Sequence, residues 1–492
     1  MKNSAILTLT TGIALALTAI DAAPAAAQIA ATEEAITFEA RNGESVEAFR
    51  GSLTVPMNRS DPASGTTELA YVRFPATTDA PGNPIVYLSG GPGGSGIGTA
   101  RGPRFPLFMA MRQHGDVIAF DQRGTGQSEK PERCTSSVTI GEMERISDAE
   151  QADRYRQATR ECAAQWKEGG VDLRGFTTAE SAQDLSDLRQ HLGAEQISLW
   201  SISYGSHLAL AALSAIPDEL DRVIMAATEG LDQTVKLPVR TVRYFERLQT
   251  AVDAQPEASA LYPDILGLIE RVHAKLEAEP MTISVPTREG GTYDLLLQKH
   301  HVQQFAGGMI SDLQFAAVML MMYRQLDMGD TSVITFVLQR FWTPDEPITL
   351  SAMTLAMDRA SGITPARLAA FEEQAAASPI GPYLNFPMPQ ILSELPSVDL
   401  GPDFRDGPFG DTPVLMLTGT LDGRTYPEGH SEATAGLSNV EQIIVENAGH
   451  NLFMTSPDVG DAMHRFMRGE APQSDRIFVD APDFSKLPDL GG

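Results

Sequence analysis

The sequence predicts an α/β chain: a mostly parallel sheet with helices on both faces and a mainly helical domain inserted into it. Two observations predict this. Short apolar runs at 84–89, 116–121, 197–200 and 222–227 alternate with helical spacing at 149–167, 178–192 and 204–216. Strands buried on both faces read in this way. The rhythm stops from about residue 231 to residue 405 and resumes at 413–418 and 440–445, with a last helix at 457–467. A parallel crossover needs only about a dozen residues, and about 185 separate 222–227 from 413–418, so a domain is inserted rather than appended.

The chain has 492 residues, with 64 acidic against 37 basic side chains and a net charge of −27. Hydrophobic residues make up 42% and charged residues 21%, the composition of a folded chain and not of a disordered one. Nucleic-acid binding needs clustered Lys and Arg, and so acidic a surface repels anionic lipid headgroups. No nucleic-acid partner and no stable membrane association are expected. Composition sets no oligomeric state.

Lys2, an apolar run over 5–20 and the small residues Ala25 and Ala27 predict a signal peptide over 1–27. The run is shorter than the ~20 residues of a spanning helix. The mature chain is therefore expected in the periplasm or medium. Its two cysteines, Cys134 and Cys162, are an even pair in an exported chain, which predicts one disulfide. Closing a loop of about 28 residues is worth roughly 3 kcal/mol. No metal site is expected.

Runs at 46–55 and 67–74 are β-prone, parted by the turn-rich stretch 58–65. Strand 84–89 runs into Gly90-Gly-Pro-Gly-Gly-Ser-Gly96. Strand 197–200 leads to Ser201-Ile-Ser203-Tyr-Gly205, and a helix follows. A serine between a strand and a helix, flanked by small residues, is the context of a nucleophile elbow. The partners are expected in the order Ser, Asp, His. Asp422 follows strand 413–418 and His450 follows strand 440–445, where open α/β sheets place their sites. Ser203 is thus the candidate nucleophile, His450 its base and Asp422 the carboxylate that orients the base. The oxyanion would be met by the backbone N–H of Tyr204 and of Gly91, with Gly90 second to Gly91.

Gly90-Gly-Pro-Gly93, Asp121-Gln-Arg-Gly-Thr-Gly126, Ser203-Tyr-Gly205, Asp422 and His450 together resemble the prolyl and tripeptidyl aminopeptidase group of α/β-hydrolase serine peptidases. The segment from about 410 to 475 resembles the C-terminal region of the secreted tripeptidyl aminopeptidases. Cys134 and Cys162 resemble that subgroup too. Two departures stand out: Ser201 replaces the usual glycine before the nucleophile, and Ser89 replaces the His or Asn that heads the glycine loop. The expected organisation is a signal peptide at 1–27, hydrolase core at 28–230 and 406–475, helical cap at 231–405 and tail at 476–492.

The resemblance implies an exported serine aminopeptidase that acts on short peptides with a free N-terminus and needs no cofactor. The alternative is an esterase or amidase acting on non-peptide substrates. Recognition of a free amine calls for a carboxylate. Glu229, just past strand 222–227, is the first candidate and Asp232 the second, against the competing reading of a structural salt bridge. The Asp121-Gln-Arg123 motif is expected to be a structural turn. The Met and aromatic cluster at 305–342 is expected to form the cap's core, with an apolar substrate pocket as the competing reading.

Overall fold

The computed structural model describes residues 33–288 and 290–488; the segment read as a signal peptide lies outside them. In chain order, the first strands are β1 (Glu34–Glu39), β2 (Ser45–Pro56), β3 (Thr66–Phe74), β4 (Ile85–Leu88), β5 (Val117–Phe120) and β6 (Cys134–Thr135). Then come β7 (Ile197–Ile202), β8 (Leu220–Ala226), β9 (Met281–Pro286), β10 (Thr292–Leu297) and β11 (Thr349–Leu350). The last are β12 (Val414–Gly419), β13 (Val440–Glu446) and β14 (Arg476–Phe478).

Ten strands form one sheet in the order β1-β2-β3-β5-β4-β7-β8-β12-β13-β14. The chain from β5 to β14 in that order pairs in parallel, and β1, β2 and β3 form an antiparallel edge. This is the α/β-hydrolase fold. Side chains alternate between two cores. Ile197 and Leu199 of β7 enter the core beneath the helices Asp148–Glu168, Thr178–His191 and Tyr204–Ala215. Trp200 and Ile202 enter the opposite core with Tyr87, Phe108 and Phe453. Burial on both faces is why β4 and the first four residues of β12 read as unbroken apolar runs.

Between β8 and β12 the chain builds a third core around Tyr244, Leu268, Met319, Met322 and Tyr323. The 305–342 cluster packs largely within it, which settles its role as the cap's interior. The cap also contains the β9–β10 hairpin. The tail is corrected at its start: Arg476–Phe478 is a sheet strand paired with β13. Beyond it Phe484 is buried in the cap core and Gln255 holds the backbone of Pro482 and Phe484.

The disulfide joins Cys134 to Cys162, with Cα atoms 5.5 Å apart. Cys134 lies in β6, which pairs with the cap strand β11. The bridge therefore fastens helix Asp148–Glu168 to β6, the pairing partner of the strand that leads into the cap helix Ala352–Ser361.

Candidate active site

β7 ends at Ile202, and Ser203 turns the chain into helix Tyr204–Ala215 with φ 56° and ψ −131°. A non-glycine residue held at positive φ costs on the order of 1–3 kcal/mol and persists only where its surroundings impose it. Here they do. The Ser203 N–H donates to the Ala226 carbonyl at 3.1 Å, and a Cβ at Gly205 would collide with the Leu88 carbonyl oxygen. Ser201, where a glycine was expected, is accommodated: its buried hydroxyl donates to the Ile224 carbonyl at 2.9 Å.

Asp422 and His450 come together at the carboxyl ends of β12 and β13. His450 Nδ1 lies 2.9 Å from Asp422 Oδ2. The Asp422 carboxylate also accepts the N–H of Arg424 at 2.7 Å, the N–H of Thr425 at 2.9 Å and the Thr425 hydroxyl at 2.7 Å. It is fully buried. Burial pushes its pKa up, but His450 and these donors outweigh that and hold it below the ordinary carboxylate value. A carboxylate kept ionised in this way fixes the ring with Nδ1 protonated and leaves Nε2 to act as a base. The cap grips the same loops. The His450 N–H donates to Ser311 O at 3.0 Å, and Arg247 Nε to Thr420 O at 2.7 Å.

The glycine loop passes directly against Ser203. A Cβ at Gly90 would lie 2.8 Å from the Ser203 Cβ and 3.4 Å from its Oγ. Gly91 has φ +132° and lines the adjoining cleft. Tyr204 opens the elbow helix, so its N–H has no partner within the helix and sits at the positive end of the dipole. Ser203, Tyr204, Gly90 and Gly91 are thus gathered at one point. The structure does not place the Ser203 hydroxyl and the His450 ring in hydrogen-bond contact. Contacts of this kind tighten when substrate binds.

A cleft of about 380 Å³ opens beside this point, lined by Gly91, Pro92, Glu229, Lys236, Asp358 and Arg424 among others. Both sequence candidates for amine binding already have partners within the chain. Glu229 Oε2 holds Lys236 Nζ at 2.7 Å in a buried ion pair. Burial pushes the Glu229 carboxyl up, and Lys236 more than reverses the effect. Asp232 accepts the N–H and hydroxyl of Thr364, both at 2.9 Å, and so holds the residue that caps helix Pro365–Ala375. Lys236, Asp358 and Arg424 were missed. Only Arg424, two positions from Asp422, carried any local signal. The 305–342 cluster contributes nothing to the lining, which comes from 349–358 and 384–388.

The Asp121-Gln-Arg motif is structural. Asp121 accepts the Ser95 hydroxyl at 2.6 Å and the Gln127 N–H at 2.7 Å. Arg123 is wholly buried and bidentate on Asp184, at 2.5 and 2.7 Å. Among the described residues no group of three or more His, Cys, Asp or Glu is placed to hold a metal ion. Among them, too, no helix is long and apolar enough to cross a membrane.

Residues 83–295 match the family described as alpha/beta hydrolase fold, and residues 396–477 match the family described as TAP-like protein. The chain has the α/β-hydrolase fold. Serine protease Hip1 of Mycobacterium tuberculosis is 29% identical over 40% of this chain and 39% of its own length. The tripeptidyl aminopeptidase of Streptomyces coelicolor is 27% identical over 36% of this chain and 34% of its own. The matched segment thus spans little more than a third of each relative. The α/β hydrolase also aligns with a proline iminopeptidase structure from Mycobacterium smegmatis, at 14% identity and a TM-score of 0.38, over 85% of this chain and 98% of the other. The relatives named serine protease and tripeptidyl aminopeptidase agree with the serine-peptidase resemblance drawn from the motifs.

Proposed function

We propose that this α/β hydrolase is an exported serine aminopeptidase that cleaves short peptides near a free N-terminus. The observation that carries the reading is the buried Asp422–His450 pair at 2.9 Å, set at the same sheet edge as a serine held at φ 56°. The relatives named serine protease and tripeptidyl aminopeptidase favour peptides as substrates. The disulfide and the composition of residues 1–27 favour export.

In this mechanism Ser203 Oγ attacks the scissile carbonyl carbon while His450 Nε2 takes its proton. The carbonyl π pair moves to oxygen. The N–H groups of Tyr204 and Gly91, with Gly90 as the second choice in the loop, stabilise that oxyanion. Its collapse breaks the C–N bond, and His450 returns the proton to the leaving amine. Water then repeats the sequence on the acyl-enzyme and releases the N-terminal fragment. Asp422 stays ionised throughout and stabilises the His450 imidazolium.

The test is labelling with a fluorophosphonate together with hydrolysis of unblocked Pro-, Ala- and Ala-Ala-Pro-anilides, their N-acetylated twins and a p-nitrophenyl ester. The wild type is expected to label and to prefer unblocked anilides, and Ser203→Ala to lose both. Labelling with ester cleavage and no preference for a free amine would move the function to an esterase or amidase. No labelling would remove the enzymatic reading.

A further inference from the structure

Resting on the aminopeptidase reading, the cleft raises the question of which group takes the substrate's α-ammonium. Glu229 is neutralised by Lys236, whose Nζ also donates to Thr234 O at 3.1 Å. Asp232 is consumed by Thr364. Arg424 is anchored through Nη1 to Leu384 O at 2.7 Å. One carboxylate remains. Asp358 lines the cleft and, among the described residues, makes no side-chain hydrogen bond or ion pair. It sits on helix Ala352–Ser361, one turn past Thr354, and residues at i and i+4 share a helix face.

Thr354 marks the distance to the reacting centre. Its Oγ1 lies 3.3 Å from where a Cβ on Gly93 would stand, so this helix face abuts the glycine loop itself. Asp358 lies about one helical turn, ~5.4 Å, further along the same face, towards the end of the helix where Ser361 Oγ lies 2.8 Å from His207 Nε2 of the elbow helix.

We propose that Asp358 is the carboxylate that binds the substrate's free α-ammonium. The pair formed is a charge-assisted hydrogen bond, in a cleft where Glu229 is already paired with Lys236. Until substrate arrives the carboxylate is poorly supported. Burial, and then Glu229, push Asp358 up to about 7, against the opposing pull of Lys236 and Arg424. Tyr204 on the elbow helix and Arg133 on the cleft rim complete the titratable and charged groups that face it.

A pH signature follows. Below about 7 Asp358 is protonated and cannot pair with an ammonium. Above about 8 the substrate amine itself loses its proton. The ratio of kcat/KM for unblocked over N-acetylated Ala-Ala-Pro-anilide is expected to peak between these limits.

The experiment measures that ratio for the full chain as wild type, Asp358→Asn and Asp358→Glu. Asp358→Asn is expected to raise KM for unblocked Ala-Ala-Pro-anilide by roughly 10- to 100-fold, with a far smaller effect on kcat. It should collapse the ratio towards one and flatten its rise near neutrality, and Asp358→Glu should restore part of the preference. Thermal unfolding of each variant confirms a folded state. A wild type that prefers free amines and an Asp358→Asn variant that keeps the preference would overturn the role of Asp358 and leave the aminopeptidase reading standing. A wild type indifferent to acetylation would overturn both.

Discussion

Ser203 at φ 56° is a local strain held in place by its neighbours. The turn can close only because Gly205 lets the elbow helix approach the Leu88 carbonyl and Gly90 lets the glycine loop approach Ser203. A methyl at 205 must push β4 or the helix apart, an overpacking that costs about 1–3 kcal/mol and misaims the hydroxyl. Gly205→Ala is therefore expected to lower Tm by several degrees and to abolish fluorophosphonate labelling, as read by calorimetry and gel. Ser201→Gly should be far milder, because the Ser201 hydroxyl already has its partner in Ile224 O. The elbow was legible from residue types because its constraint is local: a strand, a serine, a glycine and a helix within a few residues. The fate of Glu229 was not, because a carboxylate next to the catalytic strand looks the same whether or not a lysine lies against it.

The elements are fastened by a few buried charges. Arg123, in the loop after β5, is bidentate on Asp184 of helix Thr178–His191. Arg59, in the turn after β2, reaches the same Asp184 at 2.8 Å. Removing one member of a buried pair leaves the other charge uncompensated, at a cost of about 3–5 kcal/mol. Asp184→Ala is expected to lose that much in urea unfolding, whereas labelling of whatever remains folded persists, since Asp184 lies behind the sheet and not at the site. Strands β4 and β12 were legible as four consecutive apolar residues, and β7 as a mainly apolar run broken by Ser198 and Ser201. The β9–β10 hairpin was not, since only Ile283 and Val285 on one strand and Leu295 and Leu297 on the other face the core, too short an alternation to stand out within a helical domain. The three-residue β14 has no periodicity at all and exists because β13 offers it an edge.

In the whole molecule, cap and sheet are joined on two sides of the cleft. On one side Ser311, Ile310 and Arg247 press on the loops that carry Asp422 and His450. On the other, the Cys134–Cys162 bridge and the β6–β11 pairing set the start of the helix that bears Thr354 and Asp358. Replacing both cysteines by serine is expected to cost roughly 3 kcal/mol in stability. Because the loosened segment leads into the cleft, KM for unblocked Ala-Ala-Pro-anilide should rise more than kcat falls. Steady-state kinetics beside thermal unfolding checks both. An equal loss in kcat would mean that the bridge supports the elbow instead.

The amino-acid sequence alone determined the strand–helix alternation, the place of the insertion, the elbow, and the order of Ser203, Asp422 and His450. Each follows from contacts within a short window: apolar runs that must be buried on both faces, a turn that tolerates only small residues, and loops that must leave the carboxyl ends of their strands. Tertiary structure decided which charges are satisfied. Glu229 found Lys236, Asp232 found Thr364, and Asp358 arrived at the cleft from the cap with no partner among the described residues. Ionic pairing depends on distances of a few ångströms between segments far apart in the chain, and those distances exist only once cap and sheet have docked.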